Sequence, residues 1–446
     1  MPLPPWLESP RSVAVVGASP KEGKVGHEVL RNILSYGFRG KVYAVNPKYE
    51  EVMGVRSYPT LRDIGEEIDV CAVAVPARFV PGIIRDGCDV GCKLFVIFSS
   101  GFKEEGRAGL EKEVVEAARS CGARVVGPNS AGVGVTWASL HASIEYPPEP
   151  GPVAVITQSG AVGGVIMDKL KRVASGTSVF LSLGNSADIT PEEAISWVAD
   201  DWRTEAIAAY IEWVRDGRAF MEAVREASKE KPVVILYAPA GEASARAVRS
   251  HTGGLASAPE VFAAAAKQAG AYLVPDLASL AEVAEALRKA RPVRGRRVLV
   301  LTNSGGLGII TAAHLERAGA ELPPANTLRS RIAEVAGKAP TGNNPLDFGG
   351  DARAEHLARA LEAEGIEDRY DAVAIVYVPT TAEGPERICS GLRPAAVKSK
   401  LPVLTYVDGR GSEEVLRCLS VTAPAFSSPA TLARGWEAML RMWLRR

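Results

Sequence analysis

Short apolar runs alternate with amphipathic stretches along the whole chain. Val13–Val16 and Val42–Val45 are typical of buried strands, and the pattern of Glu111–Ser120 is typical of a helix between two strands. This alternation predicts parallel sheets with helices on both faces, which is an α/β fold. The other predicted strands are Val70–Val75, Leu94–Phe98, Arg124–Val126, Val153–Ile156, Val179–Leu181, Ala206–Ile211, Val233–Leu236, Val298–Leu301, Ala372–Tyr377 and Pro402–Thr405.

Two breaks divide this rhythm into three units. Tyr146–Pro152 contains four prolines, which remove backbone donors and therefore predict a linker or a domain edge. The second break is Arg291–Arg297, which contains one proline and one glycine and lies just before the predicted strand Val298–Leu301. We therefore expect three α/β domains, at residues 1–148, 149–292 and 293–446.

The composition is that of a packed protein with no net charge. The 446 residues are 47% hydrophobic and 23% charged, and 52 Lys and Arg balance 52 Asp and Glu. A neutral chain without a basic block predicts no nucleic-acid and no acidic-membrane partner. Without an apolar run of about 18 residues, we expect no membrane span. The amino-terminal sequence lacks the basic start and apolar stretch of a secretory signal, so we expect a cytoplasmic protein.

Six cysteines are spread thinly along the chain. Cys88 and Cys92 lie one helical turn apart, but no second pair stands at zinc-site spacing, so the sequence predicts no metal site. In a reducing cytoplasm we expect free thiols at all six positions, which are Cys71, Cys88, Cys92, Cys121, Cys389 and Cys418.

A glycine-rich turn, Gly17–Gly26, follows the first strand, where amide N–H groups can face a phosphate. The second strand ends in Asn46-Pro47-Lys48, with a cation where a nicotinamide-dependent dehydrogenase usually has a carboxylate. Lys48 is therefore either a surface lysine or a contact for a phosphorylated nucleotide such as coenzyme A. Ligands of open α/β sheets bind at the carboxyl ends of strands. The residues that follow the strands of the first unit are small or polar, and together they favour one nucleotide site. Its candidate residues are Gly17, Ala18, Ser19, Pro20, Lys48, Val75, Pro76, Ser99, Ser100 and Gly101.

Two similar turns open helices in the second and third units. Thr157-Gln158-Ser159-Gly160 and Thr302-Asn303-Ser304-Gly305-Gly306 each follow a strand, which hints at a structural duplication. Serine can cap the helix that follows, and the first free N–H groups of a helix bind anions. The turns are therefore either phosphate contacts or simple helix starts. The candidate phosphate-binding residues are Gln158, Ser159, Gly160, Ser304, Gly305 and Gly306.

One of the five histidines stands in a context that suggests chemistry. His251 lies in the glycine-containing segment Arg249–Ala256, after a long stretch of small residues. A neutral imidazole can attack phosphorus if a carboxylate fixes its tautomer and balances the charge that develops. Glu212, at the end of the predicted strand Ala206–Ile211, is the candidate carboxylate. Without this context, His251 would be an ordinary loop histidine.

These residues resemble a known family. Ser250-His251-Thr252-Gly253, preceded by Tyr210-Ile211-Glu212 and Arg215-Asp216-Gly217-Arg218, is similar to the α subunit of NDP-forming acyl-CoA synthetases, such as ADP-forming acetate–CoA ligase. These enzymes are relatives of succinyl-CoA synthetase. The similarity spans the whole chain and keeps the order of the motifs. The other matching motifs are Gly127-Pro128-Asn129, Thr157-Gln158-Ser159-Gly160, Gly184-Asn185-Ser186-Ala187-Asp188 and Asn344-Pro345-Leu346-Asp347.

The resemblance implies a Rossmann-like CoA-binding domain followed by two flavodoxin-like domains. It also implies that acyl-CoA, ADP and phosphate become acid, ATP and CoA, and that His251 carries the phosphoryl group. Glu212 would orient and charge-balance the imidazole, and the helix starts at Ser159 and Ser304 would hold its phosphate. The Gly17–Pro20 turn, Lys48 and Ser99–Gly101 would hold CoA.

The family also needs an ATP-grasp module, for which the three units of this chain offer no candidate. The resemblance therefore implies a separate ATP-grasp β subunit that binds ADP or ATP with Mg²⁺, in a complex such as α2β2. Two alternatives stay open. One is a non-catalytic CoA-binding sensor or scaffold with a ligase-like fold. The other is a nicotinamide-dependent oxidoreductase, which Lys48 argues against.

Overall fold

The computed structural model describes residues 2–238, 241, 243–244, 258–289 and 291–444. Within them lie three β-sheets with helices between their strands, which confirms the predicted α/β class. The first sheet contains β1 (Ser12–Val16), β2 (Lys41–Val45), β3 (Glu51–Val52), β4 (Val55–Tyr58), β5 (Val70–Val73), β6 (Leu94–Ile97) and β7 (Arg124–Val126). Its order is β3-β4-β2-β1-β5-β6-β7, and its pairs are parallel except for β3 with β4.

The second sheet is also built around parallel strands. It contains β8 (Gly132–Val135), β9 (Leu140–Ser143), β10 (Pro150–Thr157), β11 (Thr177–Ser182), β12 (Ala206–Ile211), β13 (Val233–Tyr237) and β14 (Tyr272–Leu273). Its order is β14-β13-β12-β10-β11-β8-β9, in which the hairpin β8–β9 adds two antiparallel strands. β10 begins inside the proline-rich run, contrary to our expectation that this run forms no strand. The start of a strand tolerates proline, and the first three residues of β10 are not fully buried.

The third sheet is parallel throughout. It contains β15 (Val298–Thr302), β16 (Leu346–Asp347), β17 (Ala372–Tyr377), β18 (Val403–Val407) and β19 (Ala425–Phe426). Its order is β16-β15-β17-β18-β19. The predicted strand at 402–405 begins one residue later and is longer, because Val403–Val407 is buried along its whole length.

Helices connect most of the strands, and local signals set several of their ends. Proline occupies the first turn of the helices that begin at Pro191, Pro259 and Pro385, where its missing N–H costs nothing. The described helices are α1 (Pro5–Glu8), α2 (Val25–Ser35), α3 (Val80–Asp89), α4 (Ala108–Ser120), α5 (Gly160–Arg172), α6 (Pro191–Ala199), α7 (Gly217–Glu230), α8 (Pro259–Ala269), α9 (Leu277–Lys289), α10 (Gly305–Arg317), α11 (Arg329–Ala336), α12 (Ala354–Ala360), α13 (Ile366–Arg369), α14 (Pro385–Lys398), α15 (Ser412–Ser420) and α16 (Pro429–Leu444).

The chain divides into two compact units. The first contains residues 1–167 and 176–275, and the second contains residues 168–175 and 276–446. In the first unit a single apolar cluster includes side chains from both sheets, such as Val13 of β1 and Ile156 of β10. The hairpin β8–β9 lies within the range that we predicted as the first domain, yet it pairs with the second sheet. The boundaries at 148 and 292 stay predictions.

The cysteines correct one expectation. Cys71 and Cys92 are buried free thiols, but Cys88 is bonded to Cys121, and Cys389 to Cys418. Each disulfide joins a helix to the helix beside it or to its end, with Cα atoms 5.7 Å and 6.2 Å apart. The partners are 33 and 29 residues apart in sequence, so the expectation of free thiols is wrong for Cys88, Cys121, Cys389 and Cys418.

Candidate active site

The turn after β1 has the geometry of a nucleotide-binding turn. Gly17 has φ 85°, and a Cβ there would lie 2.5 Å from the carbonyl oxygen of Ala74. Gly26, in the first turn of α2, packs directly on the backbone of Gly17, where a side chain would not fit. Both glycines therefore serve a close approach of loop, helix and strand. The amide of Gly17 donates to the carbonyl oxygen of Val45 at 2.9 Å and Pro20 has no N–H, so the amides of this turn that can face a ligand are those of Ala18 and Ser19.

Asn46 joins the first two strand ends. Its Nδ2 donates to the carbonyl oxygen of Ala18 at 2.8 Å, and its Oδ1 accepts from the amide of Lys48 at 3.0 Å. The structure thereby brings the Gly17–Pro20 turn and Lys48 together. Lys48 itself is exposed, as is Pro20, and Ser19 is half-buried. His27 Nδ1 donates to the carbonyl oxygen of Ser19 at 3.1 Å and so ties α2 to the same turn.

Val75 and Pro76 follow β5, which lies beside β1 at the point where the strand order reverses. Ligands of doubly wound sheets bind at this point, in the crevice outside the strand ends. Val75 is half-buried and Pro76 is exposed. The predicted contacts Gly17 and Val75 lie next to each other at this point, since a Cβ on Gly17 would lie 3.1 Å from Val75 Cγ1.

A carboxylate holds the predicted CoA loop after β6. Glu104 Oε1 accepts from the amides of Gly101 at 2.6 Å and Phe102 at 3.2 Å, and Gly101 has φ 104°. Burial raises the pKa of Glu104, but the hydrogen bonds from Asn185 and from these amides lower it below its usual value overall. Within the described residues, Ser99 Oγ is buried and has no hydrogen-bond partner.

At the carboxyl ends of β10 and β12, one side chain fixes the position of Glu212. Gln158 Oε1 accepts from the amides of Glu212 at 2.7 Å and Trp213 at 3.1 Å, and its Nε2 donates to Ser186 Oγ at 3.1 Å. The amide of Gln158 in turn donates to the carbonyl oxygen of Tyr210 at 3.2 Å. The two predicted residues Gln158 and Glu212 are therefore neighbours, although Gln158 acts through its side chain.

Glu212 is a buried carboxylate, 5% exposed. Burial raises the pKa of Tyr210, and the charge of Glu212 and a hydrogen bond to it raise that pKa further. The tyrosine hydroxyl therefore stays protonated and can donate to the carboxylate. A buried carboxylate at a strand end, beside the start of α5, is suited to stabilising a positive charge nearby.

The structure adds residues for which the sequence analysis gave no role. Asn185 Nδ2 donates to Glu104 Oε2 at 2.5 Å and to Glu111 Oε2 at 2.9 Å. Burial raises the pKa of Glu111 despite this hydrogen bond. The neighbouring Ser186 bonds Gln158, so a continuous network runs from the loop at Gly101 to Glu212.

The loop at residues 184–188, which contains Asn185 and Ser186, is anchored at its last residue. The Asp188 side chain is fully buried, and it accepts from Arg119 Nε at 2.7 Å, Arg124 Nε at 2.9 Å and the amide of Val125 at 2.8 Å. Arg215 Nη2 donates to the carbonyl oxygen of Ser186 at 2.8 Å. The polar run at residues 184–188 after a strand was the available sequence signal, but its partners come from distant elements.

The turns that open α5 and α10 match atom for atom. The amide of Ser159 donates to Thr157 Oγ1 at 3.0 Å, and the amide of Ser304 donates to Thr302 Oγ1 at 2.9 Å. Each threonine hydroxyl donates back to the carbonyl oxygen of that serine, at 2.6 Å and 3.0 Å. Asn303, at the position of Gln158, also binds the next strand end, because its Oδ1 accepts from the amide of Val378 at 2.8 Å. These contacts support the duplication that the sequence suggested.

Both helices begin at a glycine whose Cβ position lies close to another side chain. A Cβ on Gly160 would meet Ala131 Cβ, and one on Gly305 would lie 2.7 Å from Asp347 Oδ2. A Cβ on Gly306 would meet open space. The Ser304 side chain makes no capping hydrogen bond, contrary to the expected cap. The first N–H groups of α10 are therefore not capped by that hydroxyl.

His251, the predicted nucleophile, lies outside the described residues. The chain reaches it after β13, which pairs with β12.

Among the described residues, no group of three or more His, Cys, Asp or Glu side chains could hold a metal ion. No helix in that part of the chain is long and apolar enough to cross a bilayer.

Comparison with known proteins relates both halves of this site to CoA enzymes. The CoA binding domain family matches residues 11–136, and the succinyl-CoA ligase like flavodoxin domain matches residues 150–287. The α subunit of ADP-forming acetate–CoA ligase II from Pyrococcus furiosus is 36% identical, over 98% of this chain and 97% of that subunit.

Two further matches extend over nearly the whole chain. ADP-forming acetate–CoA ligase I from Archaeoglobus fulgidus is 35% identical over 97% of this chain, which spans 62% of that longer protein. The solved dinucleotide-forming acetyl-coenzyme A synthetase 1 of Ca. Korarchaeum cryptofilum, in complex with phosphate and ADP, superposes with a TM-score of 0.88 at 32% identity. This match covers 99% of this chain and 97% of that one.

Proposed function

Because the chain belongs to the family of α subunits of ADP-forming acetate–CoA ligases, we propose that it forms ATP from acyl-CoA, ADP and phosphate together with a partner subunit. The products are the free carboxylic acid, CoA and ATP. In this reaction the chain supplies the CoA site and, at His251, the group that carries phosphate.

The reaction proceeds in three transfers. A phosphate oxygen attacks the thioester carbonyl carbon, the C–S bond breaks, and CoA leaves as the thiol with the proton that phosphate loses. A nitrogen of His251 then attacks the phosphorus of the acyl phosphate, the P–O bond to the acyl group breaks, and the carboxylate leaves. Finally, an oxygen of the ADP β-phosphate attacks the phosphohistidine, the P–N bond breaks, and ATP and the free imidazole result.

Glu212 is the residue that prepares His251 for the second transfer. Attack by a neutral imidazole places positive charge on the ring, and a carboxylate hydrogen-bonded to the other ring nitrogen stabilises that charge. The observation that carries the proposal is the hydrogen bond from the amide of Glu212 to Gln158 Oε1, at 2.7 Å. This hydrogen bond holds the backbone of Glu212, and with it the buried carboxylate, beside the start of α5. The chain continues towards His251 from the same edge of the sheet, after β13.

The proposed phosphate contacts are the starts of two helices. They are Gln158, Ser159 and Gly160 at α5, and Ser304, Gly305 and Gly306 at α10. Helix N-termini attract anions through their free N–H groups and dipoles. The matching Thr157 and Thr302 turns give both segments the same backbone shape.

CoA binds across the end of the first sheet. In the Gly17–Pro20 turn, the amides of Ala18 and Ser19 face its pyrophosphate, and Lys48 neutralises one of its phosphates. Val75, Pro76 and the loop Ser99, Ser100 and Gly101 complete the site. The blocked Cβ position at Gly17 supports this assignment, since a glycine turn between the first strand and helix suits a ligand that approaches the backbone closely.

The partner is an ATP-grasp β subunit, in a complex such as α2β2, which binds ADP or ATP with Mg²⁺. Two observations support a separate subunit: the Pyrococcus relative is itself named a subunit α, and the Archaeoglobus relative has additional chain. The substrates of this reaction are metabolites of the cytoplasm, where we place the protein.

An assay of the assembled complex tests the proposal. The chain co-purified with its partner should form ATP from ADP, phosphate and a panel of acyl-CoA thioesters, and His251→Ala should abolish ATP formation. CoA binding should persist in that variant, because the CoA site lies on other residues. A complex that binds CoA but forms no ATP with any thioester would favour the sensor or scaffold function instead.

A further inference from the structure

A fourth residue stands in line with three of the predicted CoA contacts. Val16 pairs with Val73, and Val73 pairs with Ile97. In the next pair of strands, Val96 pairs with Val126. Continued two or three residues beyond the strand ends, this register aligns Ala18, Val75, Ser99 and Asn129 in one row. The first three are predicted contacts of CoA, whereas Asn129 has no role in the site described so far.

Backbone hydrogen bonds continue this register beyond the strands. The amide of Ala74 donates to the carbonyl oxygen of Val16 at 2.8 Å. The amide of Asn129 donates to the carbonyl oxygen of Ser99 at 3.0 Å. On its other side Asn129 lies against Gly184, because a Cβ there would be 2.4 Å from the Asn129 carbonyl oxygen. The backbone of Asn129 is therefore held between the predicted CoA loop and the second sheet.

The side chain of Asn129 is less constrained than its backbone. It is half-buried, and no described residue forms a hydrogen bond with its amide group. The residue has φ 58°, in the left-handed region, which asparagine tolerates and glycine adopts at no steric cost. This backbone conformation therefore does not by itself require an amide side chain.

The row has the length of the pantetheine arm of CoA. Neighbouring strands lie about 4.8 Å apart, so the steps from β1 over β5 and β6 to β7 cover about 14 Å. Between the pyrophosphate and the sulfur the arm contains about twelve bonds, as many as four residues of extended polypeptide, and it spans about 13–14 Å. With the pyrophosphate at the amides of Ala18 and Ser19, the sulfur end therefore reaches Asn129.

Lys48 sets the direction in which the arm runs. It follows β2, which lies on the other side of β1 from β5. A cation at this position serves the phosphates at the nucleotide end of CoA. The nucleoside and the pantetheine arm are attached to opposite ends of the pyrophosphate, so the arm extends from β1 towards β7.

Building on the proposed CoA site, we propose that the side-chain amide of Asn129 forms a hydrogen bond with the sulfur end of the pantetheine arm. Its partner there is the last amide group of the arm, which both donates and accepts, as the side chain of asparagine does. Asn129 is then the fourth contact in the row and positions the reacting end of the substrate. It makes no contact with the adenosine or the phosphates.

Calorimetric titration of the full chain with two ligands tests this contact. The ligands are CoA and 3′-phosphoadenosine 5′-diphosphate, which is CoA without the arm. In Asn129→Gly, which fits the same φ, we expect the dissociation constant of CoA to rise about 3- to 10-fold, in line with the loss of one hydrogen bond. The dissociation constant of the ligand without the arm should be unchanged, because that ligand does not reach Asn129.

Ser139→Gly is the matched control. Ser139 is also half-buried and left-handed, with φ 50°, but it lies in the turn between β8 and β9. Its replacement should leave the affinity for both ligands as in the wild type. Lys48→Ala should weaken both ligands, since both carry the phosphates.

Two results would overturn the inference. One is an unchanged affinity of Asn129→Gly for CoA, and the other is an equal loss of affinity for the two ligands. A wild-type chain that binds neither ligand would instead refute the proposed CoA site.

Discussion

Gln158 Oε1 accepts a hydrogen bond from the backbone amide of Glu212 at 2.7 Å, across the ends of two neighbouring parallel strands. A single side chain from the turn that opens α5 thus sets the position of the carboxylate proposed to serve His251. The same oxygen accepts from the amide of Trp213. The proposed phosphate-binding turn and the proposed charge-balancing carboxylate are therefore held together by one side chain.

Replacement of Gln158 by Ala should release the segment at Glu212 from the turn that opens α5. It leaves two buried amides without an acceptor, which costs about 1–3 kcal/mol each and lets the segment at Glu212 shift. We expect kcat for ATP formation to fall about 10- to 100-fold, while the dissociation constant for CoA changes little. Steady-state kinetics and calorimetric CoA titration measure the two quantities. Gln268→Ala, at an exposed position of α8, is the control. A weakened CoA affinity with unchanged kcat would contradict this prediction.

Gly17→Ala should weaken CoA binding. The added Cβ would lie 2.5 Å from the carbonyl oxygen of Ala74 at φ 85°, so the turn has to move. We expect the dissociation constant for CoA, measured by calorimetry, to rise at least about ten-fold. Gly109→Ala on α4, where a Cβ meets open space, should bind CoA normally. Equal affinities for the two variants would show that this turn does not hold the ligand.

Asn185 should couple the CoA loop to the rest of the site. Asn185→Asp replaces its donor by a carboxylate next to Glu104 and Glu111, so like charges meet in a buried place. We expect a higher KM for CoA, with the increase largest at high pH, where all three groups are ionised. Asn185→Ala should raise KM for CoA without that pH dependence. Parallel pH profiles for the two variants would argue against the network.

His141 should report on the packing of the hairpin β8–β9. Burial lowers its pKa from 6.5 to about 4, so it stays neutral in the folded protein. The unfolded chain binds the proton first, and stability is therefore complete above about pH 6.5 and falls towards pH 4, by about 3 kcal/mol in total. NMR titration of the His141 ring, assigned with His141→Gln, measures this pKa. A ring that titrates near pH 6.5 would contradict the burial seen here.

The sequence predicts most of the sheet cores, because apolar strands such as Val13–Val16 and Ala372–Tyr377 are buried on both faces and therefore appear as continuous apolar runs. It does not predict the hairpin β8–β9, whose short strands contain Gly132 and Gly134 and gain their burial only by pairing with β11. The disulfide partners were also out of reach, since spacing along the chain does not show which helices are neighbours.

The candidate site divides in the same way. Glu212 and the turns at Ser159 and Ser304 could be found from motifs, because strand ends and glycine-rich turns have recognisable local sequences. Asn185 and Glu104 could not be given a role, since their hydrogen bond joins residues 81 positions apart. For Gln158 the sequence predicts the turn but not the contacts of the side chain. That side chain binds the amides of Glu212 and Trp213, after the neighbouring strand β12.

Phosphorylation of one residue is the central claim, and radiolabelled phosphate tests it most directly. The complex incubated with acetyl-CoA and labelled phosphate, without ADP, should carry label on this chain that acid removes and base does not. The label should pass to ATP when ADP is added, and His251→Ala should carry none. A catalytically active complex whose chain stays unlabelled, or a His251→Ala chain labelled like the wild type, would contradict the account.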